Sequence, residues 1–373
     1  MEICEGALLA AGEKGTARAV MTFPALAGLS NGTLLASWRC GSTKDSEDES
    51  VEVCSSDNGG RTWSQPMTVF GETRVNGVRG SLRVVYFTEV KPTHVLAACL
   101  WIDRETFPGK PLFNPVTEGC LPMTVLLADS FDWGTTWSPW REVEMPADIG
   151  PPSLTNPILR FPDGTLAMSI ETNKNYEDPS KWMQRVTLRH SLDMGQTWSV
   201  PLTASQDPTG RIFHWDQRAV VAPDGRLGAF LWIYDSSTHT YLNARRRISS
   251  DGGRTWSPAE DLGFSDQPAH PAILPDGRTV LAWVDRFGTG SIRARLAESI
   301  DARFDANTEV CIYSHRQNAA AGGQASTGDC LVEQGRWSYG LPFAETLPDG
   351  DVLVVYYAGT PDVMSIHSAR LHL

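Results

Sequence analysis

The sequence predicts an all-β fold, a six-bladed β-propeller with four antiparallel strands in each blade. Two repeated motifs and their spacing predict it. The first motif, S-x-D-x-G-x-T-W, ends at Trp137, Trp198 and Trp256, and a related copy ends at Trp63, so the copies lie 58 to 74 residues apart. The second motif is an Asn-Gly or Asp-Gly turn between two apolar runs. Four-stranded repeats of this length are typical of propellers.

The second motif predicts β-hairpins, because Asn-Gly and Asp-Gly between β-rich runs form tight turns that need positive φ. It occurs five times, at Gly32, Gly164, Gly225, Gly277 and Gly350. Dividing 373 residues by a spacing near 60 gives six units. We expect the six first strands near Phe23, Leu82, Pro157, Arg218, Pro271 and Phe343.

The first motif predicts a turn at the far end of each unit. Its Asp can accept backbone N–H groups across the turn, its Gly supplies a positive φ, and its Trp packs back onto the sheet. The copy SSDNGGRTW that ends at Trp63 is interpreted as carrying one extra residue. We expect the aspartates and tryptophans of these turns to be structural.

The two ends of the chain are predicted to meet. Too little chain follows His367 to supply a last strand, so we expect the N-terminal stretch near Ala7 to Leu9 to close the sixth blade. Such closure leaves no open sheet edge. Residues 1–373 are therefore predicted to form a single domain.

Composition excludes several classes of partner and cofactor. The chain has 32 basic and 44 acidic residues, and its net charge of -12 argues against binding to nucleic acid or to an anionic membrane surface. The N-terminus lacks the pattern of a secretory signal, so a cytoplasmic location is expected. The seven cysteines form no CxxC pair and no HxxxH motif occurs, so we expect no metal and no cofactor.

The S-x-D-x-G-x-T-W turns resemble the Asp-boxes of the sialidase superfamily, and the resemblance covers nearly the whole chain. It implies that the boxes lie away from the active site. The site is expected at the opposite end, where first strands begin and second strands end. A carbohydrate substrate is implied as the partner.

Three residues match the catalytic pattern that the resemblance implies. The acid is Asp45, because Arg39 to Asp45 fits the family setting with one residue added. The nucleophile is Tyr339, eight residues before Leu347, and Asp216 stands in place of the partner glutamate. A phenol with a pKa near 10 needs a neighbouring carboxylate to take its proton. We therefore expect Asp216 within hydrogen-bond reach of Tyr339, and Asp45 across the sugar site.

Further polar residues lie on segments predicted to reach the same end. The segment FHWDQR gathers four polar residues at the start of one strand, which is hard to explain as core. The expected substrate-binding residues are Arg39, Glu171, Asn173, His214, Arg218, His270, Asp285 and Arg286.

Sialidases hold the substrate carboxylate with three arginines, and this chain lacks them at the matching positions. Thr22-Phe23-Pro24 stands at the first position, WIYD at the second and His270 at the third. Bidentate arginine pairing is not replaced by His or Thr. We therefore expect an acidic sugar other than ordinary sialic acid.

The sequence predicts an exo-acting glycoside hydrolase of sialidase type that acts on a non-reducing-end sugar. One alternative is a propeller polysaccharide lyase on a uronate, served by His214, His270, Tyr339 and Arg218. Another is a non-catalytic carbohydrate-binding propeller. The insertion His315 to Gln334 is expected to be a lid, an interface or a disordered segment.

Overall fold

The computed structural model describes residues 1–315 and 325–373, which form 27 strands, a 3-10 turn and one α-helix. The strands are β1 (Glu2–Ala10), β2 (Val20–Gly28), β3 (Leu34–Gly41), β4 (Ser50–Ser56), β5 (Thr73–Val75), β6 (Val78–Lys91), β7 (His94–Asp103), β8 (Met123–Ser130), β9 (Arg141–Glu142), β10 (Ser153–Leu154), β11 (Leu159–Arg160), β12 (Leu166–Glu171), β13 (Arg185–Ser191), β14 (Leu202–Gln206), β15 (Ile212–Val221), β16 (Leu227–Asp235), β17 (Thr240–Tyr241), β18 (Asn243–Ser249), β19 (Glu260–Ser265), β20 (Gln267–Pro268), β21 (Ala272–Ile273), β22 (Thr279–Asp285), β23 (Ser291–Ala297), β24 (Asp305–Ser314), β25 (Tyr339–Thr346), β26 (Val352–Thr360) and β27 (Val363–His372). The 3-10 turn is Ala147–Ile149 and the helix, α1, is Thr327–Gln334.

The all-β prediction is confirmed. Within the described residues the strands form five sheets, four of which use strands that follow one another in sequence: β5 to β9, β10 to β14, β15 to β19 and β20 to β24. The fifth contains β25, β26 and β27 beside β2, β3 and β4, with β1 paired to β27. A single parallel pair, Val20 with Met364, joins its two halves. No helix in the described part of the chain is long and apolar enough to span a membrane.

The two ends of the chain pair with each other, as predicted. Strand β1 runs antiparallel to β27, from Glu2 opposite His372 to Ala10 opposite Ile366. The N-terminal strand therefore occupies a sheet position that the C-terminal segment does not supply.

The five predicted hairpins are confirmed. Each motif glycine has a φ between 85° and 92°, and the five turns join β2 to β3, β11 to β12, β15 to β16, β21 to β22 and β25 to β26. The remaining turn, between β6 and β7, has no Asp-Gly and instead places Thr93 at a φ of 71°.

Four predicted first strands lie where expected, near Phe23, Leu82, Arg218 and Phe343. The other two are each split into two short strands around Pro157 and Pro271. Proline has no N–H to donate to a strand ladder, so it interrupts the strand at these positions.

The S-x-D-x-G-x-T-W turns are held by their own polar side chains. Ser191 Oγ accepts from the Gly195 N–H at 2.8 Å, Asp193 Oδ1 accepts from the Thr197 N–H at 2.8 Å, and Asp193 Oδ2 accepts from Thr197 Oγ1 at 2.5 Å. The same three bonds recur around Asp132 and Asp251. The predicted structural role of these aspartates has a direct basis in these bonds.

The copy that ends at Trp63 carries no extra residue, which corrects the alignment expected from the sequence. Asn58 takes the aspartate position, and its Oδ1 accepts from the Thr62 N–H at 2.9 Å. Ser56 Oγ accepts from the Gly60 N–H at 3.0 Å. The motif is therefore S-x-N-x-G-x-T-W, because an asparagine oxygen can accept the same bond.

The turn glycines Gly134, Gly195 and Gly253 each lie against the sheet that precedes their own in the chain, and Gly60 lies against Leu353 of β26. A Cβ added at Gly195 would sit 3.3 Å from Leu96, and one added at Gly253 would sit 2.5 Å from Leu188. Arg141 Nη1 also donates to the Gly195 carbonyl at 3.0 Å. The turns therefore connect neighbouring sheets.

Candidate active site

A cavity of about 360 Å³ lies at the start of the first strands. Its lining comes from strands β2, β6, β7, β8, β10, β12, β15, β16, β20, β25 and β26, from helix α1 and from the loops beside them. Within the described residues, no residue of the S-x-D-x-G-x-T-W turns lines it. The cavity therefore lies apart from the repeated turns, as the sequence predicts for the site.

A repeated backbone irregularity places side chains at this cavity. The pairing register slips by one residue at Phe23 in β2, at Arg83 in β6, at Asp216 in β15 and at Leu341 in β25. Three of them have a left-handed backbone, with φ values of 53° for Phe23 and 44° for Asp216 and Leu341. All four line the cavity. Such bulges redirect a side chain out of the strand pattern and are common beside active sites.

Tyr339 does not line the cavity, although it was expected to be the nucleophile. It is buried in an apolar cluster with Val284 and Tyr356, and its ring stacks on His315 at 4.7 Å. Burial raises the pKa of Tyr339 to about 12. Its hydroxyl makes no hydrogen bond to any described residue, so the expected pair with Asp216 is not formed. Because of the bulge, Leu341 is the residue of β25 that reaches the cavity.

Asp216 lines the cavity and is held by two partners. Arg218 Nη2 lies 2.7 Å from Asp216 Oδ1, and Gln267 Nε2 donates to Asp216 Oδ2 at 2.5 Å. Arg218 Nη1 in turn donates to the Tyr86 hydroxyl at 3.1 Å and to the Thr155 carbonyl. Asp216 is therefore fixed from two sides, by its own strand and by β20.

Arg286 determines how Gln267 faces Asp216. Its Nη2 donates to Gln267 Oε1 at 3.2 Å, which leaves the amide Nε2 to donate to Asp216. Arg286 is buried, pairs with Asp266 at 2.6 Å and lies 3.8 Å from the ring centre of Trp337. It does not line the cavity, so the structure places it behind the site and not against a substrate.

Glu171 is the buried carboxyl of the cavity. It ends β12, is 6% exposed, and its Oε1 accepts from the Gln217 N–H at 2.9 Å and from Thr155 Oγ1 at 3.3 Å. Burial, with the nearby charge of Asp216, raises the pKa of Glu171 to about 8. At neutral pH it can therefore donate a proton.

Asp45 lies on the loop after β3 and also lines the cavity. Its Oδ1 accepts from Arg83 at 3.2 Å and from Arg104 at 3.1 Å, and its Oδ2 accepts from the Leu112 N–H at 2.7 Å. Burial opposes ionisation of Asp45, but the two arginine charges and the Leu112 N–H outweigh it and hold the pKa below its ordinary value. Asp45 is therefore charged where Glu171 is neutral.

Arg39 supports the loop that carries Asp45 and does not line the cavity. It is buried, its Nε lies 2.5 Å from Glu49 Oε2, and its Nη2 donates to the Thr43 carbonyl at 2.8 Å. Its guanidinium is thus engaged in contacts with Glu49 and the Thr43 carbonyl.

The two predicted histidines lie outside the cavity lining. His214 Nδ1 is 2.8 Å from Ser205 Oγ, and burial lowers the pKa of His214 to about 4. His270 Nδ1 is 3.0 Å from Asn156 Oδ1, its ring stacks on Phe343 at 4.3 Å, and burial lowers its pKa to about 3. Both rings are neutral packing groups at physiological pH.

Of the last two predicted residues, one lines the cavity and the other does not. Asn173 lines the cavity and donates to the Pro151 carbonyl at 2.8 Å and to Ser153 Oγ at 2.9 Å. Asp285 does not, because it accepts from the Thr289 N–H at 2.8 Å and closes the turn after β22. The cavity thus brings together five predicted residues, namely Asp45, Glu171, Asn173, Asp216 and Arg218. The other predicted residues are Arg39, His214, His270, Asp285, Arg286 and Tyr339, and none of these lines it.

Aromatic side chains form one wall of the cavity, namely Phe113, Trp182, Trp215, Trp232 and Trp337. Tyr234 stacks on Trp215 at 4.6 Å and Tyr241 stacks on Trp232 at 4.9 Å, so both indoles are held in place. Such rings present flat apolar surface to a sugar ring.

The described part of the predicted insertion contributes to the cavity, and its residues 316–324 lie outside the described residues. Leu331, Val332 and Gln334 of helix α1 line the cavity. Lys44 Nζ fastens the end of the helix by donating to the carbonyls of Gln334 and Trp337, each at 2.7 Å. The helix therefore forms a wall of the site.

The sequence analysis missed Arg83, Gln267 and Lys44. A signal existed for Arg83, which is the one charged residue in the apolar run SLRVVYF and stands on β6 where Asp216 stands on β15. Gln267 had none, since its role comes from contacts across sheets.

No family model matches the chain, and a search of curated proteins returns no match. Solved structures do match. A protein of unknown function from Dyadobacter fermentans superposes with a TM-score of 0.75 at 19% identity, covering 100% of this chain and 99% of that one. The intramolecular trans-sialidase of Ruminococcus gnavus gives 0.65 at 13% identity, covering 96% of each chain.

The α-L-arabinanase of Penicillium chrysogenum, solved with arabinobiose, gives a TM-score of 0.63 at 14% identity and covers 100% of this chain and 98% of that one. At these identities the likeness concerns the fold. The chain has a sialidase-like propeller fold, shared with sialidases and with an arabinanase.

Proposed function

We propose that the protein is a glycoside hydrolase in which Glu171 is the general acid. The observation that carries this proposal is a buried carboxyl with a raised pKa beside a second carboxylate, Asp216, in an aromatic-lined cavity. Glycosidases pair a protonated carboxyl with an ionised one around the scissile bond. Aromatic rings beside that pair suit a sugar ring.

Each carboxyl has a distinct part in the reaction. The Glu171 proton passes to the glycosidic oxygen as the bond between that oxygen and the sugar carbon breaks. Asp216 faces the positive charge that develops on the sugar ring. Water then bonds to the sugar carbon as the new hydroxyl, and the proton that it releases returns to Glu171. Arg218 and Gln267 hold Asp216 in position throughout. Asp45 is a third, ionised carboxylate, fixed to Arg83 and Arg104.

The fold supports this proposal by analogy, since sialidases and an arabinanase share it. Dividing the seven-stranded sheet at its single parallel pair gives six groups of strands, which is the basis for proposing six blades. We propose exo action on a non-reducing end, because helix α1 and the Asp45 loop both close around the cavity.

The proposed sugar is acidic but is not ordinary sialic acid. The three segments in which the sialidase resemblance requires arginine contribute Phe23, Trp232 and Gln267 to the cavity. A fluorogenic sialoside is therefore expected to be turned over poorly.

The lyase alternative receives less support. Of the four residues that would serve it, only Arg218 lines the cavity, whereas His214, His270 and Tyr339 do not. A lyase would form an unsaturated, ultraviolet-absorbing product without incorporating water, and a hydrolase would not.

The test compares Glu171→Gln with the wild type on glycosides with good and poor leaving groups. A general acid contributes about 10² to 10⁴-fold, so the variant is expected to lose that much with alkyl or sugar leaving groups and far less with 4-nitrophenyl groups, which depart without a proton. The matched control is Glu345→Gln. Burial also raises the pKa of Glu345, to about 7, but Glu345 does not line the cavity, so this variant should keep its activity. Equal activity of Glu171→Gln on both substrate types would refute the proposal.

A further inference from the structure

We propose that Arg83 binds an acidic group on the substrate and makes the cavity selective for carboxylate-bearing sugars. This inference rests on the proposed function for the nature of the ligand. The sequence analysis assigned no role to Arg83. This residue lies on β6, away from the segments in which the sialidase resemblance implies arginines.

The placement of Arg83 is that of a site residue. It is the bulged residue of β6, between Leu82 and Val84, and lines the cavity beside Asp45. It is 9% exposed, and its guanidinium lies 5.2 Å from the ring centre of Phe23, the bulged residue of β2. A charged side chain is rarely buried to this extent unless its charge is used.

The bonding of Arg83 leaves one edge of its guanidinium available. Its Nη1 donates to Asp45 Oδ1 and to Glu49 Oε2, both at 3.2 Å. Its Nε and Nη2 make no hydrogen bond to any residue in 1–315 or 325–373. The Nε–Nη2 edge is one of the two forks with which arginine binds a carboxylate in bidentate fashion.

Other arginines near the cavity are more fully used. Arg218 uses both terminal nitrogens on Asp216, Tyr86 and the Thr155 carbonyl. Arg104 uses Nε on Ser81 and Nη2 on two carboxylates. The fork of Arg83 is therefore the best-placed carboxylate receptor of the cavity.

The local charge balance points the same way. Three guanidinium groups, of Arg39, Arg83 and Arg104, share two carboxylates, of Asp45 and Glu49. Burial opposes ionisation of Glu49, but the three arginine charges outweigh it and hold the pKa of Glu49 below its ordinary value, as the arginines do for Asp45. The cluster thus carries an excess of one positive charge, and an incoming carboxylate would neutralise it.

The experiment measures binding of D-glucuronate, D-galacturonate, D-mannuronate and L-iduronate, each against its neutral hexose, by titration calorimetry. At least one uronate is expected to bind the wild type about tenfold or more tighter than its hexose, as for a charge-assisted bidentate contact. Arg83→Gln should abolish the preference. Arg83→Lys should weaken it, because lysine keeps the charge and loses the fork.

The control is Arg278→Gln, which removes an arginine from a hairpin outside the cavity and should preserve the preference. Melting curves identify any variant that does not fold, and Arg83→Lys then serves in place of Arg83→Gln. If no uronate binds more tightly than its hexose, or if both folded Arg83 variants keep the preference, the inference is overturned.

The outcomes separate this inference from the proposed function. Cleavage of neutral glycosides that depends on Glu171, without any preference for uronates, would overturn the role of Arg83 and leave the hydrolase in place. Binding of uronates that depends on Arg83, without any cleavage, would support the role of Arg83 and refute the hydrolase.

Discussion

The aspartates of the S-x-D-x-G-x-T-W turns and the carboxylates of the cavity find their partners in different ways. Asp193 bonds to side chains and N–H groups two and four residues away. Asp45 bonds to groups 38, 59 and 67 residues away. Asp216 bonds to an amide 51 residues away as well as to Arg218 on its own strand. The turn end is therefore specified locally, and the cavity end is assembled by packing separate sheets together.

The repeats are most alike at the turn end and least alike at the cavity. The four turns share the same hydrogen bonds, which join Ser to Gly and Asp or Asn to Thr. The equivalent bulged position of the first strand is instead Phe23, Arg83, Asp216 or Leu341. The repeats thus share the structure of their turns and differ in the bulged residues that line the cavity.

The largest effect on stability is expected at the turn end. Trp198 packs against the main apolar cluster, so Trp198→Ala should lower the free energy of unfolding by about 3 kcal/mol, near the low end for large aromatic-to-alanine changes because the side chain is only half-buried. Activity per folded molecule should stay the same. Denaturant titration of the variant beside Leu192→Ala, whose side chain is 87% exposed, makes the comparison. Lost activity with unchanged stability would reverse the roles of the two ends.

At the cavity end we expect a loss of activity with stability retained. Gln267→Leu removes one hydrogen bond to the Asp216 carboxylate, which corresponds to about 10- to 100-fold in activity. Steady-state kinetics of the variant on a glycoside substrate measure this loss. Gln196→Leu, on an exposed turn, is the control and should keep the wild-type activity. Wild-type activity of Gln267→Leu would mean that Gln267 does not position Asp216.

We expect Glu171 to lower the free energy of unfolding as the pH rises. Its pKa of about 8 in the folded protein lies above the ordinary value of 4.5, so the folded state binds more protons than the unfolded state between these values. Stability therefore falls through this window, and the loss is complete above pH 8. Glu171→Gln removes this pH-dependent loss of stability. The melting temperature of the variant minus that of the wild type should therefore increase from pH 5 to pH 8. A constant difference would contradict the raised pKa.

The smallest effect is expected for the exposed turn carboxylates. The hydrogen bonds of Thr197 and Ser191 lower the pKa of Asp193 to about 2. Its contribution is present above the ordinary value of 3.8 and is lost as the pH falls through about 2. Asp193→Asn should therefore make the pH dependence of stability shallower between pH 4 and pH 2, in acid titrations followed by circular dichroism. An identical slope would show that the turn carboxylate does not contribute.

The parts of the molecule that the sequence predicted are those with local causes. The hairpin at Gly164 depends on four consecutive residues, and the turn at Asp193 on eight, so both are visible in the sequence. Asn58 was misaligned because the neighbouring Asp57 offered a closer match to the motif. The prediction that the stretch near Ala7 to Leu9 joins the last sheet followed from counting strands, and this stretch lies in β1, which pairs with β27.

The site was predicted only in part, because a bulge changes which side chain of a strand reaches the cavity. Tyr339 and Leu341 lie two residues apart, and Leu341 lines the cavity while Tyr339 packs between sheets. Asp216 was identified because it takes the place of the partner glutamate in the sialidase pattern and is one of four polar residues at the start of a strand. Arg83 was missed because it stands alone in an apolar run. The arginine and glutamine that hold Asp216 include one on another sheet, which no local pattern records.

The pairing of β1 with β27 has a consequence for how the chain folds as it is synthesised. The strand Glu2–Ala10 leaves the ribosome before its partner Val363–His372, which is made more than 350 residues later. The first strand must therefore wait unpaired while the intervening sheets form. Contacts of such long sequence separation fold slowly, so we expect the joining of the two ends to be the last step of folding.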